Sequence, residues 1–235
     1  MEDLKKQAAM AAVDYVKSGM KLGLGTGTTV KYAIEEIGRL LKTGELTDIS
    51  AVPSSESTRF LALESGIPLT ELDGNVPLDL YIDGADEVDF SLNLIKGGGG
   101  ALTREKILAA SAEYSIIVVD ESKISESLGD KWSVPVEVMP FGAGLVKSFI
   151  TEMGFTFTQR QNKMNNSAFI TDNGNYIFDV KTGPIENPGE LDSYLNYCPG
   201  IIEHGVFPDM TDLLIIGTEE GVKQIVPEQE DLQEE

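Results

Sequence analysis

Lys21-Leu22-Gly23-Leu24-Gly25-Thr26-Gly27-Thr28-Thr29-Val30 decides the fold. Residues 21–24 read as a short strand, which breaks into a turn rich in glycine and threonine. The chain then runs into Val30, Ala33, Ile34, Ile37, Leu40 and Leu41, apolar positions at helical spacing. Outward from this strand, turn and helix the same alternation repeats. Leu4, Ala8, Ala11, Ala12 and Tyr15 mark an earlier helix, with Asp3 as its N-cap and Gly19 as its C′ residue. Downstream, residues 49–52 read as a strand, 54–64 as a serine-capped helix and 79–82 as a buried strand. A helix follows over 103–112, then a buried strand over 116–119 that ends at Asp120. Strands alternating with helices imply parallel βαβ units with right-handed crossovers. In such open sheets ligands bind beyond the carboxyl ends of the strands.

The rhythm changes near Trp132. Residues 134–138, 155–160, 168–171 and 176–180 read as strands, with a helix over 145–153. Asp172-Asn173-Gly174-Asn175 is a hairpin signal between the last two strands. A short helix at 190–196 and a strand at 201–207 complete an α+β unit, and 213–216 returns to the first sheet. The expected division is a sheet domain over 1–130 plus 207–226, an inserted α+β domain over 131–206 and an acidic tail over 227–235.

Composition narrows the chemistry. The chain has 235 residues, 18 Lys and Arg against 39 Asp and Glu, a net charge of −21, one Cys and one His. An intramolecular disulfide, a Cys₄ or Cys₂His₂ zinc site and a metal held by several His are excluded. Such acidity disfavours nucleic acid and anionic membrane as partners. It leaves open a local basic pocket for a small anion. No signal-like segment opens the chain, and no apolar run approaches the ~18 residues of a membrane helix. The expected setting is therefore soluble and cytoplasmic.

Three glycine-containing loops fall at or just beyond strand ends. Gly25 to Thr29 opens a helix, so its amides and hydroxyls suit a phosphate; a tight strand-to-helix turn explains it equally. It is no P-loop, and Thr28 stands where a dinucleotide fingerprint needs glycine. Asp83-Gly84-Ala85-Asp86-Glu87-Val88-Asp89 gathers four carboxylates, suited to proton transfer or a divalent metal, or simply a solvated turn. Lys96-Gly97-Gly98-Gly99-Gly100 costs backbone entropy that close approach to a ligand would justify. Lys96 could stabilise an oxyanion, and Glu105, in the first turn of the next helix, could be a base or only complement the helix dipole. Lys123 offers a second cation or is an ordinary exposed lysine. His204 and Cys198 read as structural.

Those loops, with Ala101-Leu102-Thr103-Arg104-Glu105, Asp120-Glu121-Ser122-Lys123, Pro135-Val136-Glu137-Val138, the hairpin signal and Gly217-Thr218, resemble the type A ribose-5-phosphate isomerases over nearly the whole chain. The resemblance implies a Rossmann-like, mostly parallel sheet domain carrying an inserted smaller α+β domain of ferredoxin-like kind. It implies an aldose–ketose isomerase, an intramolecular oxidoreductase of the pentose phosphate pathway. This would interconvert D-ribose 5-phosphate and D-ribulose 5-phosphate through a cis-enediolate, with no organic cofactor, no required metal, and a homodimer or homotetramer. By resemblance Glu105 is the base, and Lys96 with Gly97, Gly98 and Gly99 holds the enediolate oxygens. Asp83 assists ring opening and proton movement between O1 and O2. Asp86, beside Gly84 and Ala85, binds sugar hydroxyls, and Thr26, Gly27, Thr28, Thr29 and Lys123 hold the substrate. A helix start and Lys96 lower the pKa of Glu105, whereas burial, Asp83 and Asp86 raise it; sequence leaves the balance open. Rival readings are a sugar-phosphate-binding regulator, a nicotinamide-dependent oxidoreductase, and a magnesium enzyme using Asp83, Asp86 and Glu87.

Overall fold

The computed structural model describes residues 1–74 and 76–227, so all of the expected acidic tail except Pro227 lies outside the described residues. Helix α1 (Glu2–Val13) buries Ala8, Ala9, Ala12 and Val13. Asp3 lies inside its first turn rather than capping it, and Asp14 in the αR region closes it. Gly19 falls further on, with φ +90°. The helix stops early because the chain must turn back into the sheet; Tyr15 and Val16 donate to Ala12 and Val13, and Gly19 to the Thr47 carbonyl.

Strand β1 (Lys21–Leu24), α2 (Val30–Thr43), β2 (Ser50–Pro53), α3 (Glu56–Ser65) and β3 (Leu80–Asp83) follow the expected alternation. The serine cap of α3 is Ser55, whose hydroxyl accepts from the Thr58 amide at 3.1 Å. Two-residue strands β4 (Glu87–Val88) and β5 (Leu94–Ile95), too short for any periodic signal, precede α4 (Leu102–Ala110) and β6 (Ser115–Asp120). Strands β7 (Val134–Val138), β8 (Thr156–Gln159), β9 (Tyr176–Lys181) and β10 (Ile201–His204) come next, with α5 (Ala143–Glu152) and α6 (Pro188–Asn196) between them. The chain continues through β11 (Val206–Phe207), β12 (Leu213–Thr218) and β13 (Gly221–Ile225).

The main sheet has the order β13-β12-β6-β3-β1-β2 and is parallel except at β13, an antiparallel edge without an expected counterpart. Apart from the exposed edge strand β13, its strands are largely buried on both faces, as the continuous apolar run of β6 requires. Ile116 and Val118 pack into the core under α1 and α2, while Ile117 and Val119 pack on the opposite face with Leu94 and Phe207. A second, antiparallel sheet has the order β10-β7-β9-β8, and α5 and α6 supply Val146, Ile150, Leu191 and Leu195 to its core. A small third sheet, β11-β5-β4, pairs two short strands from between β3 and β6 with one from between β10 and β12. No helix among the described residues is long and apolar enough to cross a membrane.

Two expectations need correction. Residues 168–171 form no strand but a single bridge, Ala168 to Gln161, and β9 pairs with β7 and β8 instead. The turn over 171–175 does form, closed by the Thr171 amide on the Asn175 carbonyl, and Thr171, Asn173 and Asn175 also bind the Glu137 carboxylate. The strand expected over 201–207 breaks at Gly205 into β10 and β11, which belong to different sheets. A Cβ on Gly205 would stand 2.2 Å from the Lys96 carbonyl, so this close crossing admits only glycine.

Candidate active site

The carboxyl ends of β1 and β3 are adjacent because the strands pair in parallel register. The first loop leaves β1 at Gly25, where a Cβ would lie 2.0 Å from Asp83 Oδ1; only glycine lets the turn close over that carboxylate. The Thr26 amide donates to Asp83 Oδ1 at 3.1 Å. Its hydroxyl turns the other way, into the hydroxyls of Ser54, Ser55 and Thr58 at 2.7 to 3.0 Å. Thr26 therefore offers the site backbone, and its side chain locks the loop to the start of α3. The Thr28 hydroxyl accepts from Lys5 Nζ at 3.1 Å.

Asp83 ends β3 fully buried. It accepts from the Tyr81 hydroxyl, the amides of Thr26 and Gly84, and Lys96 Nζ at 2.6 Å. Lys96 also donates to the Gly84 carbonyl at 2.6 Å and stands 3.3 Å from Glu105 Oε2. The ammonium is thus wedged between two carboxylates. Burial opposes its charge, but Asp83 and Glu105 outweigh burial and hold its pKa above the ordinary lysine value.

Glu105 sits in the first turn of α4, 2% exposed. Its Oε2 has no hydrogen-bond partner among the described residues. Desolvation wins the balance that sequence left open: it outweighs Lys96 and, helped by Asp83 and Asp86, pushes the carboxyl up to about 8. A carboxylate with a strong appetite for a proton therefore lies against a fixed ammonium.

Asp86 takes the Gly98 amide at 2.6 Å, and a Cβ on Gly98 would strike its carboxylate. The other acids of this loop turn elsewhere. Glu87 binds the amides of Gly129, Lys131 and Trp132 at 3.0 to 3.2 Å, and Asp89 caps its own turn through Ser91 and Asn93. Asp83, Asp86 and Glu87 thus do not converge as the magnesium reading requires. No cluster of three or more metal-ligating side chains occurs among the described residues.

These loops enclose a cavity of about 260 Å³. Its walls are Thr26, Gly27, Thr28, Thr29, Gly84, Ala85, Asp86, Lys96, Gly97, Gly98, Gly99, Glu105 and Lys123, together with Lys5. Of the residues expected here, Asp83 alone is off the wall, behind Lys96. Lys5 gave no local signal in sequence, since α1 carries it 23 positions from its Thr28 partner. A larger cavity of about 640 Å³ lies across Gly98, lined by Trp132, Arg160, Met164 and Phe169, but the carboxylates and Lys96 converge on the smaller one. His204 is fully buried at the end of β10, 3.4 Å from both Lys106 Nζ and Asp192 Oδ1. Burial, then the Lys106 charge, pushes it down to about 3, so it is neutral and structural. Cys198 packs in the core of the second sheet. The arrangement can take a proton from carbon, hold the resulting oxyanion on Lys96 and seat an anionic group near Lys5 and Lys123.

Comparison with known proteins bears on this chemistry. The family described as ribose 5-phosphate isomerase A (phosphoriboisomerase A) matches residues 50–221. Ribose-5-phosphate isomerase A of Desulfatibacillum aliphaticivorans is 46% identical over 222 residues, spanning 94% of this chain and 96% of its own. That of Thermococcus kodakarensis is 44% identical over 225 residues, spanning 96% and 98%. Among solved structures, a D-ribose-5-phosphate isomerase in complex with phospho-erythronic acid superposes with a TM-score of 0.93 at 42% identity, over 96% of this chain and 98% of that one. Ribose 5-phosphate isomerase from Plasmodium falciparum gives 0.92 at 42% identity, over 97% and 100%.

Proposed function

The chain belongs to the ribose 5-phosphate isomerase A family, and on that premise we propose how its loops divide the reaction. The enzyme interconverts D-ribose 5-phosphate and D-ribulose 5-phosphate. In this reading the Glu105 carboxylate removes the proton from C2 of the open-chain aldose. The C–H electrons form the C1–C2 double bond, and the carbonyl electrons move onto O1. Lys96 and the glycine-loop amides not already taken by Asp86 and Gly97 stabilise the resulting cis-enediolate. The hydroxyl proton passes from O2 to O1, the carbonyl forms at C2, and Glu105 returns its proton to C1. Asp86, on the cavity wall, meets the sugar hydroxyls and assists ring opening. Asp83 acts through Lys96, because its carboxylate is already filled by four donors. Lys5, Thr28 and Lys123 take the phosphate, a positive corner in a chain of net charge −21.

One observation carries this reading. Glu105 is a buried carboxylate whose Oε2 meets the Lys96 ammonium at 3.3 Å without a hydrogen bond, its pKa raised to about 8. The test is a coupled assay for ribulose 5-phosphate without NAD and with excess EDTA. Sustained turnover supports it, loss in EDTA favours a metal enzyme, and binding without turnover favours a regulator.

The proposal extends to the inserted unit over 131–206, supported by strands β7 to β10 forming a sheet of their own. It extends also to a cytoplasmic homodimer or homotetramer serving the pentose phosphate pathway. Exposed apolar side chains such as Phe141 and Tyr197 support self-association, and a sedimentation mass at a multiple of the 25.4 kDa chain tests it.

A further inference from the structure

The four-glycine loop closes on one bond of its own, from the Gly100 amide to the Gly97 carbonyl at 2.9 Å, and has no side chains to fix the peptides between them. Arg160, just beyond β8, fixes them from outside. Its Nη1 donates to the Gly97 carbonyl at 2.9 Å and the Gly98 carbonyl at 3.1 Å. Its Nε donates to Asp179 Oδ2 at 3.0 Å and its Nη2 to the other carboxylate oxygen, a forked pairing that fixes the plane of the guanidinium. The Arg160 backbone is itself pinned: its amide donates to Ile177 at 2.8 Å and its carbonyl accepts from Phe169 at 2.9 Å. The Phe169 ring in turn occupies the space where a Cβ of Gly100 would stand.

The consequence follows from peptide geometry. In a planar trans peptide the C=O and the next N–H point in opposite directions. Tying the Gly97 carbonyl to Arg160 sends the Gly98 N–H the other way, where Asp86 receives it at 2.6 Å. Tying the Gly98 carbonyl to Arg160 likewise directs the Gly99 N–H away from Arg160. Gly99 lines the catalytic cavity, and its amide has no hydrogen bond to protein among the described residues.

We propose that Arg160, clamped by Asp179, is a positioning residue for the isomerisation, orienting the Gly98–Gly99 peptide so that the Gly99 amide faces the enediolate. Arg160 does not touch the substrate; it acts through two carbonyls. The inference rests on the reading of the cavity as the enediolate site. Lysine keeps the charge but lacks the planar fork that spans two carbonyls and a carboxylate.

The test compares Arg160→Ala, Arg160→Lys and Asp179→Asn in the full chain, with Glu105→Gln as the control on the site itself. Misaimed donors cost roughly 10²-fold. We expect that loss in kcat for Arg160→Ala, with KM for ribose 5-phosphate nearly unchanged and phospho-erythronic acid binding weakened in parallel with kcat. Arg160→Lys should fall almost as far, and Asp179→Asn less. Added guanidinium ion at millimolar concentration should restore part of the kcat of Arg160→Ala. Unchanged kcat in both Arg160 variants overturns the inference. So does a loss shared equally by kcat and KM, tracking melting temperature and deaf to guanidinium. If Arg160→Ala does not fold, Asp179→Asn decides by the same split between kcat and KM. Turnover retained in Glu105→Gln would instead defeat the reading of the cavity, whatever Arg160 does.

Discussion

Glu105 and Glu137 are both buried carboxylates, and they differ in what meets them. Glu137, on β7, accepts from the Thr171 hydroxyl and Asn175 amide at 2.8 Å, from Asn173 at 3.1 Å, and from the Thr103 hydroxyl. Glu105 has an oxygen with no hydrogen bond and one ammonium at 3.3 Å. A buried anion surrounded by donors has its hydration replaced by protein, and it holds structure together. A buried carboxylate left short of donors keeps its affinity for a proton, which is what a base requires. The two are also connected. Thr103, which donates to Glu137, lies two residues before Glu105 on α4, so the saturated carboxylate anchors the helix that presents the unsaturated one.

Substitutions can break this contrast. The largest effect is expected from Glu105→Gln, with kcat falling roughly 10³-fold or more while phospho-erythronic acid still binds within a few-fold of wild type. Steady-state kinetics and calorimetry check it, and near-normal turnover would remove Glu105 as the base. Lys96→Ala should lower kcat about 10²- to 10³-fold with little change in KM. A change confined to KM would make Lys96 a phosphate ligand. Glu137→Ala leaves several donors unmet and should destabilise the fold by roughly 3 kcal/mol, read as a drop in Tm. If Glu105→Ala and Glu137→Ala lowered Tm alike, the contrast would fail.

The contrast also has a pH signature. Glu105 is raised in the folded state from 4.5 to about 8, so between those values the native protein binds a proton the unfolded chain releases. Its contribution to stability therefore falls as pH rises through that window. The Tm advantage of Glu105→Gln over wild type should grow from pH 5 to pH 8, and wild-type kcat/KM should climb toward pH 8. A flat Tm difference would mean that Glu105 is not raised. The smallest effect is expected for Lys5→Ala, a rise in KM of roughly tenfold with kcat nearly intact, measurable by initial rates.

The parallel core was legible because its strands are continuous apolar runs separated by helices of clear period; 116–119 and 213–216 pair in the same sheet as expected. The loops were legible because glycine and acid at strand ends are locally unusual. What escaped the sequence depends on tertiary contact. Lys5 looks like any exposed helix lysine until α1 folds beside Thr28. The break at Gly205 is imposed by the Lys96 backbone, more than a hundred residues away. Residues 168–171 carry a strand-like pattern, yet the turn beyond them is bound by Glu137 rather than by a neighbouring strand. The withdrawal of Asp83 behind Lys96 is likewise a property of four converging donors that sequence spacing does not reveal.

Solvent exchange tests the central claim most directly. With ribulose 5-phosphate in deuterium oxide, incorporation of deuterium at C1 is followed by NMR in wild type and in Glu105→Gln, with the binding of phospho-erythronic acid measured in both. Wild type should exchange the carbon-bound proton, whereas Glu105→Gln should bind the analogue normally and neither exchange nor isomerise. Exchange at the wild-type rate in a Glu105→Gln enzyme that no longer isomerises would show that another group takes the proton from carbon.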